Sequence, residues 1–362
     1  MAAQKYITII SLMKEIFTKE YKIYFGNDVL EQLSELLIER SYSKVFVLLD
    51  ENTKKYCWPL LSSYLVDTQT IEIKSGEDSK TIQSAMIIWE KLQENFADRK
   101  AVLINLGGGV LSDLGGFAAA TYKRGIDFIN IPTTLLSMVD AAVGGKQGID
   151  MASHKNAVGV FQHPKEIFIY PEFLKTLEPI ELKSGFAEMC KHGLIDDKKL
   201  WEKLQTTDEN KLDDLVPLIF QSIKIKVAIV KKDPLEKDIR KCLNFGHTIG
   251  HAFETHSLIH DKRPLKHGEA IVIGMICEAW LSWKKNWISE KELNNIKTYF
   301  LNRYPKYSHD FSYDLLLQYM RNDKKNLNGQ INFSLLKKIG KAKIDITCSD
   351  EMIINSIRYY LG

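Results

Sequence analysis

The sequence predicts an α/β protein in two parts. An N-terminal parallel sheet covered by helices on both faces is followed by a mostly α-helical C-terminal part. Three observations predict this. The chain has 362 residues, enough for two domains at roughly 150 residues each. In the first half, near-continuous apolar runs of strand length alternate with helical spacings, the pattern of a parallel sheet buried on both sides. From about Glu181 onward, long helical periodicities dominate. The boundary falls near Pro179, giving domains 1–179 and 180–362.

The elements follow in order. Residues 44–49 (KVFVLL) form a β-rich apolar run ending at Asp50, and 81–92 have helical spacing. Residues 101–106 (AVLINL) read as a strand stopped by Gly107, Gly108 and Gly109, and a helical pattern covers 110–121. A third strand, 127–131 (DFINI), is closed by Pro132. The second half reads as helices at 212–232, 247–255, 269–284 and 290–301, with few strand candidates before 330–333. No internal repeat or low-complexity segment interrupts the pattern.

Composition excludes several classes. Apolar residues make up 45% and charged residues 26%, ordinary for a globular protein and unlike a disordered tail, a collagen-like fibre or a disulfide scaffold. The net charge of +3 is too small to argue for nucleic acid or an anionic membrane. Cys57, Cys190, Cys242, Cys277 and Cys348 are scattered without CxxC spacing, so neither a disulfide framework nor a cysteine zinc knuckle is expected. A reducing, cytoplasmic location fits. The apolar run near the N-terminus is broken by Lys14 and Glu15 and lacks the features of a signal peptide. No stretch approaches the ~18 unbroken apolar residues of a membrane span; the most apolar, 271–283, is interrupted by Glu278.

The strand–GGG–helix passage is the first chemical signal. Glycines after a strand let backbone approach a phosphate, and the helix start offers N–H groups and a positive dipole end. The spacing is neither GxGxxG nor GxxxxGK[ST], so a tight structural turn is an equal reading. Asp50, at a strand end, can accept both hydroxyls of an adenosine ribose; a helix cap or Asx turn is the plainer role. Thr133 and Thr134 are candidates for diphosphate or ribose contacts, or else turn caps. Together these features point to a dinucleotide. The 140–156 loop sets Lys146, Lys155 and Asn156 among Gly144, Gly145 and Gly148, an arrangement suited to an anionic group. A solvated surface loop is the alternative.

Three later segments hold the histidines and acids of interest. They are 185–195 with Glu188, Lys191 and His192, 244–256 with His247 and His251, and 265–275 with His267 and Glu269. His247 and His251 lie one helical turn apart on a shared face, but HTIGH lacks the Glu of HExxH. Catalytic zinc often takes two histidines and a carboxylate with one position open. Glu188, His267 and either His247 or His251 would make that set, and spacing leaves the choice open. A single histidine is more often a satisfied polar residue. Lys191, Lys226, Arg240, Lys324 and Lys325 cluster around the same segments. Arginine suits bidentate contact with carboxylate or phosphate, while solvated faces are the plainer reading of the lysines, above all Lys324 and Lys325. A metal, a nucleotide and an anionic pocket suggest a small anionic substrate.

The ordered set GGGVLSDLGGFAAATYKRG, IPTTLLSMVDAAVGGKQGID, LNFGHTIGHAFE and KHGEAIVIGM resembles the 3-dehydroquinate synthases, a family of sugar-phosphate cyclases. The likeness runs nearly the full length and is densest at 107–195 and 240–275. Ser112 and Gln147 stand where many relatives carry Gly and Thr. The resemblance implies a Rossmann-like N-terminal domain, a helical C-terminal domain and an active site in the cleft. It implies Zn²⁺ or Co²⁺ on Glu188, His247 and His267, leaving His251 as a substrate or proton-relay residue. NAD would be surrounded by Asp50, Ser75, Gly76, Glu77, Asp78, Ser79, Lys80, Gly109, Val110, Leu111, Ser112, Asp113, Thr133, Thr134, Lys146, Lys155, Phe173, Leu174, Lys175 and Thr176. The substrate would be surrounded by Arg124, Asp140, Lys146, Asn156, Lys191, Lys226, Arg240, Asn244, His251, Lys324 and Lys325. Of these, Lys146, Lys191, Arg240, Asn244 and His251 would take part in catalysis. Arg124 would reach across from the second subunit of a homodimer. The implied reaction converts 3-deoxy-D-arabino-heptulosonate 7-phosphate to 3-dehydroquinate and phosphate. Its steps are transient oxidation, phosphate elimination, reduction, ring opening and intramolecular aldol closure. Competing readings are another sugar-phosphate cyclase (2-deoxy-scyllo-inosose or valiolone synthase), a metal-dependent alcohol or glycerol dehydrogenase, and a non-catalytic nucleotide-binding module.

Overall fold

The computed structural model describes residues 13–151, 154–322 and 330–362, apart from the side chain of His154. Two compact units make up the chain: Met1–Leu182 with Asn210–Val227, and Lys183–Glu209 with Ala228–Gly362.

The first unit begins with β1 (Lys14–Phe17), β2 (Lys22–Phe25), α1 (Val29–Arg40), β3 (Val45–Asp50), α2 (Glu51–Tyr56), α3 (Trp58–Leu61) and β4 (Thr68–Ile73). It continues through α4 (Ile82–Glu94), β5 (Val102–Gly107), α5 (Gly109–Thr121), β6 (Asp127–Pro132), β7 (Lys146–Met151), β8 (His154–Phe161) and β9 (Glu166–Ile169). Among the described residues, seven strands form one sheet in the order β1-β2-β9-β6-β5-β3-β4. Every pairing is parallel except β1 with β2. The predicted parallel sheet is thus present, with one antiparallel strand added at its edge.

β5 is buried at all six positions, as expected for a central strand covered on both faces. Phe46, Leu48, Leu103, Phe117 and Phe128 belong to the core between this sheet and its helices. The chain runs from β3 outward to β4, then crosses back so that β5 pairs on the other side of β3. That reversal opens a crevice at the carboxyl ends of β3 and β5, the usual ligand position in such sheets. Asp50 ends β3 and Gly107 ends β5.

The 140–156 segment is not the loop its glycines suggest. A single π turn, Ser137–Ala141, leads into the antiparallel β7–β8 hairpin. Gly148 faces Gly159 across that hairpin. A Cβ on Gly159 would sit 2.4 Å from the Gln147 carbonyl oxygen, and one on Gly148 2.9 Å from that of Val158. These glycines therefore permit two strands to approach.

The remaining elements are α6 (Pro179–Ile195), α7 (Lys198–Thr206), α8 (Leu212–Lys232), α9 (His247–His260), α10 (His267–Lys284), α11 (Glu290–Leu301), α12 (Tyr313–Arg321), β10 (Asn332–Lys338), β11 (Lys341–Thr347) and α13 (Asp350–Leu361). The divisions between units fall inside α6, between α7 and α8, and inside α8. The second unit is mostly helical, as predicted, with an added β10–β11 hairpin. β11 (KAKIDIT) has no buried position, so it carries no apolar run to announce it. In α10, every residue from Gly268 through Ser282 is buried, the signature of a helix enclosed on all sides.

All five cysteines are free thiols, and Cys57, Cys190, Cys242 and Cys277 are buried. Burial pushes the Cys57 and Cys190 thiols up to about 12. Among the described residues, no helix is long and apolar enough to cross a membrane.

Candidate functional site

At the sheet crevice, most of the predicted nucleotide-contact residues hold the local fold. Asp50 caps α2: its Oδ1 accepts the Thr53 N–H at 2.8 Å, and its own N–H donates to Thr53 Oγ1 at 2.9 Å. Gly108 caps α5. A Cβ on Gly107 would lie 2.1 Å from Leu111 Cδ1, and one on Gly108 3.1 Å from Thr134 Cγ2. Space, rather than an unusual dihedral, requires glycine at 107, while at 108 a Cβ would only crowd Thr134. Thr134 Oγ1 accepts the Ser137 N–H at 3.1 Å, the turn-capping alternative, and Thr133 is buried.

The 75–80 stretch is pinned from two sides. Glu51 accepts the Ser75 N–H at 2.8 Å and the Ser75 hydroxyl at 2.7 Å. Gly76 has φ +102°, a conformation that favours glycine. Lys80 Nζ lies 2.5 Å from Asp113 Oδ2 with only 4% of its side chain exposed. Burial works against that ammonium, but Asp113 and Glu77 outweigh it and raise its pKa. Ser112 is 1% exposed, and its hydroxyl meets that of Ser137 at 3.2 Å. Phe173 and Leu174 are buried, whereas Lys175 and Thr176 are exposed. Gly109 and Val110 open α5 half-buried, while Leu111 is buried. In the same unit Lys226 Nζ lies 2.5 Å from Asp140 Oδ1, so α8 and the π turn meet at an ion pair. Lys146, Lys155, Asn156 and Arg124 are exposed; Lys155 lies 4.0 Å from Glu77. Lys324 and Lys325 fall outside the described residues.

In the second unit the predicted metal-binding side chains converge. Glu188 on α6 is fully buried. Its Oε1 lies 3.5 Å from His247 Nε2 and 3.4 Å from His267 Nε2. One donor atom from each residue falls within 4.8 Å of the others. A tetrahedral ion with ligands ~2.0–2.1 Å away separates neighbouring donors by ~3.3–3.4 Å. The set therefore fits Zn²⁺ or Co²⁺ in both chemistry and spacing. His247 is the first residue of α9 and His267 the first of α10.

The other ring nitrogens are also engaged. His247 Nδ1 lies 3.1 Å from the Phe245 carbonyl oxygen, and His267 Nδ1 lies 3.5 Å from Glu254 Oε1. Such partners fix ring orientation in metal sites. Burial opposes a charge on His267, but Glu188 and Glu254 outweigh it and push its pKa up to about 9. The carboxylates that favour a proton there favour a cation equally.

His251 falls in a second set, with Glu254 and His267. Its ring centroid is 5.1 Å from that of His247 and 6.1 Å from that of His267. Lys191 Nζ pairs with Glu188 Oε2, both fully enclosed. Arg240 is buried; its Nη1 donates to the Pro234 carbonyl oxygen at 2.6 Å, and its N–H donates to Asp233 Oδ2 at 3.1 Å. Asn244 Nδ2 donates to Glu236 Oε1 at 3.0 Å. Sequence reasoning missed Glu51, Glu254 and Glu236. None sits in a recognised spacing; Glu254 lies within LNFGHTIGHAFE, one helical turn beyond His251, and that offset was its only signal.

The doubly covered sheet followed by a mostly helical unit is a fold shared with solved sugar-phosphate cyclases and, at lower similarity, with glycerol and alcohol dehydrogenases. A solved 2-deoxy-scyllo-inosose synthase, complexed with carbaglucose-6-phosphate, NAD⁺ and Co²⁺, matches with TM-score 0.86 and 25% identity, covering 96% of this chain and 100% of that one. A 2-epi-5-epi-valiolone synthase from Streptomyces hygroscopicus subsp. jinggangensis, with NAD⁺ and Zn²⁺ bound, shares the fold with TM-score 0.84 at 23% identity, covering 97% and 99%. The 3-dehydroquinate synthase N-terminal family matches residues 70–184 and the corresponding C-terminal family residues 185–326. A 3-dehydroquinate synthase from Parabacteroides distasonis is 41% identical over 346 residues, 94% of this chain and 98% of its own. The chain belongs to the 3-dehydroquinate synthase family.

Proposed function

We propose that this chain converts 3-deoxy-D-arabino-heptulosonate 7-phosphate to 3-dehydroquinate and phosphate, as a phosphate-eliminating lyase. The observation that carries the reading is the convergence of Glu188, His247 and His267 in a chain matched over 94% of its length by a 3-dehydroquinate synthase. We assign NAD to the crevice at β3 and β5, and Zn²⁺ or Co²⁺ to the three donors. Domains 1–179 and 180–362 then serve the dinucleotide and the metal with its substrate, respectively. The protein acts as a cytoplasmic homodimer, with Arg124 contributed across the dimer.

The crevice at β3 and β5 would hold NAD, which would supply a transient hydride acceptor, and Glu188, His247 and His267 would hold the divalent ion, which would supply Lewis acidity toward the substrate oxygen being oxidised. The chain's own residues bind and orient. Buried Arg240 offers a planar fork to a carboxylate or phosphate. Lys146, Lys191 and Lys226 add point charges for the same dianion, and Asn156 and Asn244 add neutral hydrogen bonds. These contacts hold the leaving group in line. His251, beside the metal set, holds or passes the alcohol proton at a ring nitrogen. The other sugar-phosphate cyclases remain the second reading on fold alone.

The test is phosphate release. Heptulosonate phosphate with catalytic NAD should release phosphate without accumulating NADH, and metal removal should stop it. Release from glucose 6-phosphate instead would assign the chain to the other cyclases, and free NADH would assign it to the dehydrogenases.

A further inference from the structure

The acid that interrupts the apolar α10, Glu278, is fully buried, and the reaction above gives it no task. Its carboxylate points at the beginning of α9. Oε2 accepts the Gly246 N–H at 2.6 Å, and Oε1 accepts those of Thr248 at 3.1 Å and Ile249 at 3.2 Å. The first N–H groups of a helix have no partner within it, and one carboxylate here receives three such donors around His247. Gly246 itself is left-handed, with φ +81°.

Glycines bring the two helix backbones into contact at this point. A Cβ on Gly274 would lie 1.8 Å from the Gly246 carbonyl oxygen, and one on Gly250 2.8 Å from that of Ala270. Gly274 stands one helical turn before Glu278. α10 therefore carries His267 at its first residue and, three turns on, the group that grips the turn bearing His247.

We propose that Glu278 is a positioning residue for the metal centre, fixing His247 relative to His267 by tying the start of α9 to α10. This rests on the metal reading of Glu188, His247 and His267. A glutamine in its place presents an amide NH₂ where only acceptors fit, so at least one of the three N–H groups loses its partner. The turn then shifts and His247 Nε2 leaves the donor triangle.

Full-length protein stripped of metal is titrated with Co²⁺ against a competing chelator, following the Co²⁺ absorption bands. Wild type should bind with a tetrahedral spectrum; if it does not, the metal reading itself fails, and this inference with it. Glu278→Gln should weaken Co²⁺ by roughly 10–100-fold, the usual effect of losing an outer-shell partner, and shift the bands. NAD⁺ affinity should not change. Glu278→Asp, which keeps both acceptor oxygens, should recover part of the affinity. A folded Glu278→Gln protein with wild-type Co²⁺ affinity and spectrum overturns the proposal, even if it melts at lower temperature. Should the Gln variant not fold, Glu278→Asp and Gly274→Ala are read the same way, and wild-type binding by both overturns it.

Discussion

The two units reach their candidate sites by opposite means. At the crevice of the sheet, polar groups are arranged by backbone, with strands ending in register, a glycine turn and a helix start. The side chains there largely serve the fold, as the Asp50 cap, the Lys80–Asp113 pair and the buried Phe173 show. In the helical unit the reverse holds. Glu188, His247 and His267 come from three helices, and only their side chains define the site. At the crevice a single side-chain substitution is therefore expected to cost part of the stability or affinity, whereas loss of one donor from the second site should abolish its function.

The largest expected effect tests the second half of that contrast. His267→Ala should abolish metal-dependent phosphate release while the chain remains folded; measured metal content should fall with it. Full metal content and turnover in this variant would break the assignment.

Next, Lys80→Met strands Asp113 in a largely buried position, with a destabilisation of about 3 kcal/mol or more expected from breaking one side of such a pair. Thermal melting checks this, and Lys80→Met with Asp113→Leu should recover much of the loss. If Lys80→Met melts like wild type, the pair does not hold the 75–80 stretch.

Arg240→Ala should raise KM and lower kcat, reducing kcat/KM by roughly 10–100-fold, the worth of charge-assisted hydrogen bonds. NAD⁺ affinity should stay constant, and a change confined to NAD⁺ would move Arg240 to the other site. Asp50→Asn retains a carbonyl for the Thr53 N–H, so melting should hardly move. NAD⁺ affinity should drop by roughly tenfold if the carboxylate meets the ribose, as calorimetry can read.

The smallest effect concerns Asp233. Desolvation pulls its carboxyl up, but the N–H groups of Asp238, Lys237 and Arg240 outweigh it and hold the pKa below its ordinary value. Its contribution is therefore complete above the unfolded pKa of ~3.9 and is lost as pH falls through the lower folded value. Asp233→Asn should melt below wild type at neutral pH, and the gap should close in acid.

How much of this could be read from the sequence depended on the kind of order involved. The strands at 45–50, 102–107 and 127–132 are near-continuous apolar runs and stood out. The β7–β8 hairpin did not, because Gly148 and Gly159 look like loop residues until they are seen facing each other. β11 did not, because KAKIDIT carries no continuous apolar run; its polar–apolar alternation is short and its inward positions are only half-buried. Glu188, His247, His251 and His267 were visible as residue types, but one helical turn cannot separate His247 from His251. In space Glu188 Oε1 lies 3.5 Å from His247 Nε2, while His251 groups with Glu254 and His267. Glu254 and Glu278 were invisible as site residues, since their partners are a ring nitrogen and backbone N–H groups far along the chain.

The buried sulfurs have a practical consequence. Cys57 lies in the first unit, and Cys190, Cys242 and Cys277 lie in the second. Only thiolate reacts quickly with alkylating reagents, and enclosure suppresses thiolate at Cys57 and Cys190. The native chain therefore carries its own unfolding reporters, with no label to introduce. Alkylation of Cys57 times the opening of one unit, and alkylation of Cys190 that of the other.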